Sequence, residues 1–137
     1  MSKLNINHVI VCDDIRTENN RKIILIGIYA GDIIPTGFPS LLPVCLYFMG
    51  RSSGEIKVMV SVKIELIFEN ESDNNRVYEQ DFEFERDLQN NSEFTIIVQG
   101  VPLEIIGPCI MKIKTKEEGK RWKEITTKKI LANPSST

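Results

Sequence analysis

Apolar and polar residues alternate with a period of two along most of the chain. The longest such run covers 56–68, where Ile56, Val58, Val60, Val62, Ile64, Leu66 and Phe68 alternate with Lys57, Met59, Ser61, Lys63, Glu65 and Ile67. A helix would scatter these apolar side chains round its circumference, whereas a strand places them all on one face. The pattern predicts a long strand with one face buried. Shorter runs predict strands over 7–12, 22–30, 43–49, 77–85, 94–99, 109–115 and 121–131. Turn-forming pieces separate them: the pair Asn19 and Asn20, PTGFP from Pro35, GRSSG from Gly50, NESDNN from Asn70, the pair Asn90 and Asn91, and KEEGK from Lys116. Two stretches carry helical alternatives: EFERDLQNN (83–91) as a short helical turn, and TTKKILA (126–132) as a terminal helix.

Short strands at near-regular spacing imply an all-β sandwich or barrel. The expected architecture is a single β-sandwich domain of about seven or eight mostly antiparallel strands over residues 1–132, followed by a disordered tail at 133–137. The inward phases expected to fill its core include Val58, Val60, Val62, Ile64, Leu66, Phe82, Phe84, Ile96, Val98, Met111 and Ile113. Trp122, in KRWK, is expected to join that core beside a basic turn.

Composition narrows the function more than it names it. The three cysteines, Cys12, Cys45 and Cys109, lie far apart inside apolar runs and form no CxxC, which is how buried, reduced thiols are placed. Together with an N-terminal run too short and too charged for a signal peptide, this points to a cytoplasmic protein. No run reaches the length of a membrane-spanning helix, so no membrane insertion is expected. Net charge is −2 and the basic stretch 112–129 holds one aromatic, Trp122, which argues against nucleic-acid binding.

Charge is divided along the chain. Residues 65–93 hold ten acids against Arg76 and Arg86, while 112–131 holds eight bases against three acids. Alternation puts Glu79, Asp81, Glu83 and Glu85 on one face of their strand, and Lys112, Lys114 and Lys116 on one face of theirs. These faces are either neighbouring solvated surfaces joined by ion pairs, or a polar contact surface made of Lys112, Lys114, Lys116, Lys120, Arg121 and Lys123.

Catalytic signatures are missing. His8 is the single histidine, so two-histidine zinc sites and facial-triad iron sites cannot be built within one chain. GxGxxG and GxxxxGK[ST] are absent, which leaves nucleotide chemistry without a motif, and no cofactor is expected. CDDIRTE (12–18) does not match EF-hand spacing, though a sandwich could gather Asp13, Asp14, Asp32, Asp73 and Asp81 at one end to hold calcium.

The stretch VCDDIRTENNRKIILIGIY (11–29) concentrates these questions. Two apolar strands flank a polar connection, in which Asn19 and Asn20 can turn the chain and Asp13 can satisfy nearby backbone donors. IVCD (10–13), ENNRK (18–22), IILIGIY (23–29) and, more loosely, PSLLPVCL (39–46) resemble a family of short bacterial all-β proteins of unassigned function. Arg21 stands where that pattern has glycine, so the turn geometry falls to Asn19 or Asn20. The resemblance implies an immunoglobulin-like or C2-like sandwich, and it implies no activity and no catalytic residues. The expected function is a non-enzymatic interaction module that binds another protein or a second copy of itself. The alternative is a calcium-dependent binding protein or enzyme built on the loop acids.

Overall fold

The alternating pattern folds as strands throughout. The computed structural model describes residues 3–20, 22–68 and 76–132. They form β1 (Lys3–Thr17), β2 (Ile23–Ile28), β3 (Ser40–Phe68), β4 (Arg76–Ile105), β5 (Cys109–Glu117) and β6 (Lys123–Ile130). Neighbouring strands pair antiparallel.

The architecture turns on β3 and β4, which pair from Ser40 opposite Ile105 to Leu66 opposite Arg76. They have 29 and 30 residues, far beyond the usual strand of about five or six, and a twisted ribbon of that length bends. The bend falls where the register shifts between Ser52 and Gly54, because a bulge sharpens the local twist. β1 joins the first half of β3 and β5 joins the second. One layer therefore reads β2-β1-β3-β4 and the other β6-β5-β3-β4. With the two long strands counted as halves, eight segments make two antiparallel sheets packed against each other, a β-sandwich. We call the first layer sheet I and the second sheet II. Phe84 and Phe94, from the two arms of β4, meet across the bend with ring centroids 4.8 Å apart.

Two expected turns are therefore strand. GRSSG and the Asn90–Asn91 pair both lie inside the folded ribbon, and so does the stretch 83–91 read as a possible helical turn. Long-range pairing outweighs local turn preference at these positions. The segment 126–130 is strand in β6, not helix. NESDNN and the tail at 133–137 fall outside the described residues.

The core follows the inward phases. Val60, Val62, Ile64, Leu66, Phe84, Ile96, Val98, Met111 and Ile113 are buried, while Val58 and Phe82 pack at its margin. All three cysteines are buried and unpaired. Burial pushes the Cys109 thiol up to about 11. Along one side, Lys123 Nζ donates to the Ile6 carbonyl at 3.1 Å and ties β6 to β1. Ile33, from the β2–β3 connection, donates to Lys129 O at 2.8 Å and accepts from Leu131 N at 2.9 Å, covering the end of β6.

Candidate functional site

β1 does not stop at Cys12. It runs to Thr17 beside β2, so the polar connection shrinks to a turn at Asn19 and Asn20. Glu18 N–H donates to Lys22 O at 2.9 Å and Lys22 N–H donates to Asn20 Oδ1 at 3.2 Å, closing it. The asparagines thus do the turning expected of them, while the two aspartates lie in strand, not loop.

Within this hairpin the chain turns over. Cys12 and Ile15, three positions apart, would face opposite sides of a flat strand, yet both belong to one buried cluster with Cys45, flanked by Ile23, Leu25, Tyr47 and Ile97. The reversal falls at Asp13, whose side chain lies over Gly27 on β2. Gly27 has φ +69°, and a Cβ there would stand 2.8 Å from Asp13 Cγ and closer still to Oδ2. Only glycine suits both the left-handed backbone and the close approach.

Asp13 does not serve backbone donors as expected; the Tyr29 hydroxyl donates to its Oδ1. Asp14 takes the backbone role, accepting from Ile15 N–H at 2.9 Å and pairing with Arg16 Nε at 3.1 Å. Gln99 on β4 donates to Ile15 O at 2.7 Å, pinning the hairpin against sheet I. Beneath it, Gly100 N–H donates to Cys45 Sγ at 3.2 Å. Burial and the adjoining Cys45 push the Cys12 thiol up to about 11, and burial together with donation to Asp13 raises the Tyr29 phenol to about 12. Both groups stay protonated at neutral pH.

With Ile23 and Leu25 turned inward, β2 presents Ile24 and Ile26 outward, 40% and 39% exposed, while Ile28, 52% exposed, lies beyond the reversal on the side of its register partner Cys12. The register partners of Ile24 and Ile26 on β1 are Arg16 and Asp14. Two exposed isoleucines therefore stand side by side on an outer strand, bordered on one side by the Asp14–Arg16 ion pair. β2 ends its sheet, leaves one row of backbone groups without a strand partner among the described residues, and carries no charge and no proline. Edge strands ordinarily carry such protection against pairing with another chain. The β4 edge has it in Glu79, Asp81, Glu83, Glu85, Pro102 and Glu104, and β6 has it in its lysines and the Ile33 contact.

The basic residues lie elsewhere, on the outward face of sheet II. Lys114 bonds Glu65 at 2.9 Å, Lys112 pairs with Glu124 at 3.8 Å and Lys120 with Glu117 at 2.9 Å, while Lys123 is turned to the Ile6 carbonyl. The Lys114 ammonium holds the Glu65 carboxyl below its ordinary range. Lys116 stands 5.8 Å from the Trp122 ring centroid, with Lys63 over the same ring at 4.0 Å. Trp122 is thus a half-buried cap on this outer face and no part of the core. Arg121 is exposed at a shallow notch of about 160 Å³ shared with Lys120 and Lys123. The acidic row of β4 occupies the same face beyond β3, where Lys57 meets Glu83 at 3.8 Å and Ser61 donates to Asp81. Acidic and basic strands therefore flank a shared centre and neutralise one another through it.

Among the described residues the loop acids do not converge. Asp13 and Asp14 belong to β1, Asp32 to the β2–β3 connection and Asp81 to β4, and Asp73 lies outside the described residues. Among the described residues no three His, Cys, Asp or Glu side chains gather as a metal would require. His8 is exposed on β1 opposite Met49. A cleft of about 420 Å³ opens between the two arms of β4, with Ile64 and Leu66 at its floor and the Arg76–Glu104 pair at 3.4 Å across it. No helix of the described residues is long and apolar enough to cross a membrane.

No protein-family model matches the chain, and no curated protein matches it.

The exposed pair Ile24 and Ile26 was absent from the surface expected of the sequence. Its signal is present in IILIGI, where both phases are apolar: such a strand is either buried on two faces or bare on one.

Proposed function

We propose that the protein is a non-enzymatic interaction module that engages other polypeptide through the β1–β2 hairpin. The observation that carries this reading is the uncharged outer strand β2 with its exposed pair Ile24 and Ile26. An added strand would gain backbone hydrogen bonds along the edge and side-chain contacts at alternate positions, the usual chemistry of strand addition. The hairpin is held ready for it. Gln99 fixes Ile15, the Asp13–Tyr29 bond fixes the reversal, and Ile23 and Leu25 anchor the far face, so little ordering remains to oppose binding.

The test is capture from native lysate with tagged wild type beside Ile26→Lys. A lysine in place of Ile26 should block strand addition without unfolding the domain, because Ile26 already faces outward. Proteins held by wild type and lost by the variant support the hairpin as the contact surface. An identical captured set for both removes β2 from the function.

A further inference from the structure

We infer that Cys12 and Cys45 form a reversible cross-strand disulfide, a latch that ties β1 to β3 beneath the hairpin when the protein meets a small-molecule disulfide. This goes beyond the reading of the hairpin as a contact surface and does not depend on it.

Register sets the pair. Cys12 on β1 and Cys45 on β3 are direct partners in the antiparallel ladder. Residues so placed project to the same face, and their Cα atoms stand about 4.5–5.5 Å apart, inside the range of about 4.4–6.8 Å that a disulfide spans. The sulfurs agree with this placement. Cys12 Sγ lies 3.8 Å from Cys45 O and Cys45 Sγ lies 3.5 Å from Asp13 O, so each thiol is packed against the other's strand. Cys109 supplies the contrast within the same chain. It is equally buried and reduced, but its ladder partners are Phe68 and Ile130.

A backbone donor marks the sulfur that reacts first. Between Val44 and Leu46 the register with β4 shifts, and Gln99 and Gly100 stand opposite the single residue Cys45. Gly100, at φ +63°, directs its N–H to Cys45 Sγ at 3.2 Å. A donor at that sulfur steadies the negative charge of a nucleophile, while burial keeps the Cys12 thiol protonated. Cys45 Sγ therefore attacks the small disulfide, releases one small thiolate and keeps the other half as a mixed disulfide. Cys12 then gives its proton to solvent, attacks Cys45 Sγ and expels the second small thiolate. Two protein thiols are oxidised by two electrons, and the small disulfide leaves as two thiols carrying the two protons.

The hairpin gates this exchange. Cys12 is 0% and Cys45 1% exposed. Ile15, Ile23 and Leu25 of the hairpin close over them beside Tyr47 and Ile97, and Gln99 holds the cover by its 2.7 Å bond to Ile15 O. Lifting the cover admits the oxidant. It also removes the burial that is the main obstacle to ionising Cys12. The latch closes on molecules whose hairpin has opened, and closing it fixes β1 to β3 at the hairpin's root.

The test incubates wild type with oxidised glutathione, quenches in acid, then unfolds and alkylates the chain for intact mass and peptide mapping. Of the three thiols, only Cys109 should remain open to alkylation, with the Cys12 and Cys45 peptides joined within one chain, and dithiothreitol should restore all three. Cys109→Ser should give the same link, whereas Cys12→Ser should stop at a glutathione adduct on Cys45. Gln99→Ala should speed the reaction several-fold while circular dichroism stays that of wild type, and an unchanged rate removes the hairpin as the gate. A link through Cys109, a link between two chains, or adducts on Cys12 and Cys45 with no bond between them overturns the latch. Refolding from urea in the same oxidant separates geometry from access. No Cys12–Cys45 link on refolding overturns the pair, and a link formed on refolding but never in the folded protein overturns the opening of the gate.

Discussion

Replacing Gly27 by alanine probes the reversal that orients the whole hairpin. Alanine at φ +69° carries the left-handed backbone cost of roughly 1–2 kcal/mol. The added Cβ also occupies the space of the Asp13 carboxylate, whose Cγ would be 2.8 Å away and whose Oδ2 would be closer. Asp13 must swing aside and release Tyr29. A hydrogen bond to a charged group contributes about 1.5–3 kcal/mol, but Asp13 is exposed to solvent, so about 1 kcal/mol is the part expected to be felt. The total is about 2–3 kcal/mol, read as a fall in the urea midpoint at unchanged slope. A double-mutant cycle separates the two causes. Asp13→Ala removes the closest atoms and leaves its own Cβ at 3.0 Å, so in that background Gly27→Ala should cost only the backbone part, and the coupling should be about 1 kcal/mol. An equal cost in both backgrounds would show that the carboxylate does not lie over Gly27. A single-variant cost under about 0.5 kcal/mol, the level of an ordinary surface substitution, would refute the left-handed backbone as well.

Two pH dependences follow from the same geometry. The Tyr29 phenol, about 12 when folded against an ordinary 10.0, binds its proton more tightly in the native state, so its stabilisation is whole below pH 10 and is lost as pH rises through about 12. Tyr29→Phe should therefore lose less stability than wild type across that window in urea titrations, and parallel losses would remove the Asp13 contact as the cause. Glu65, whose carboxyl the Lys114 ammonium holds below 4.5, contributes in the opposite sense. Its stabilisation is present above the ordinary carboxylate range and is lost as pH falls through the depressed folded value. Lys114→Met should flatten the acid limb of the stability profile, and an unchanged limb would dismiss the pair.

Much of this molecule is legible one residue at a time. The inward phase of 56–68 is local information, since a side chain's face depends only on its parity along the strand, and Val60 through Leu66 are buried accordingly. The reduced thiols, the Asn19–Asn20 turn and the sandwich class follow from equally short-range patterns. The bend of β3 and β4 is different. GRSSG and Asn90–Asn91 carry turn chemistry, but each stretch faces the other across the ribbon, and pairing along 40–66 holds both in strand. The charged rows of β4 and β5 were correctly phased from sequence, yet their shared centre on β3, with Lys114 on Glu65 and Trp122 over Lys63, exists only once three strands lie side by side. IILIGI shows the same division at the proposed contact surface. Its composition says strand, and its two apolar phases say that neither face expects water. Which face stays bare depends on where the strand stands in its sheet, a matter of pairing between residues distant in the chain. That pairing places β2 at an edge, so Ile24 and Ile26 become surface where composition alone would have made them core.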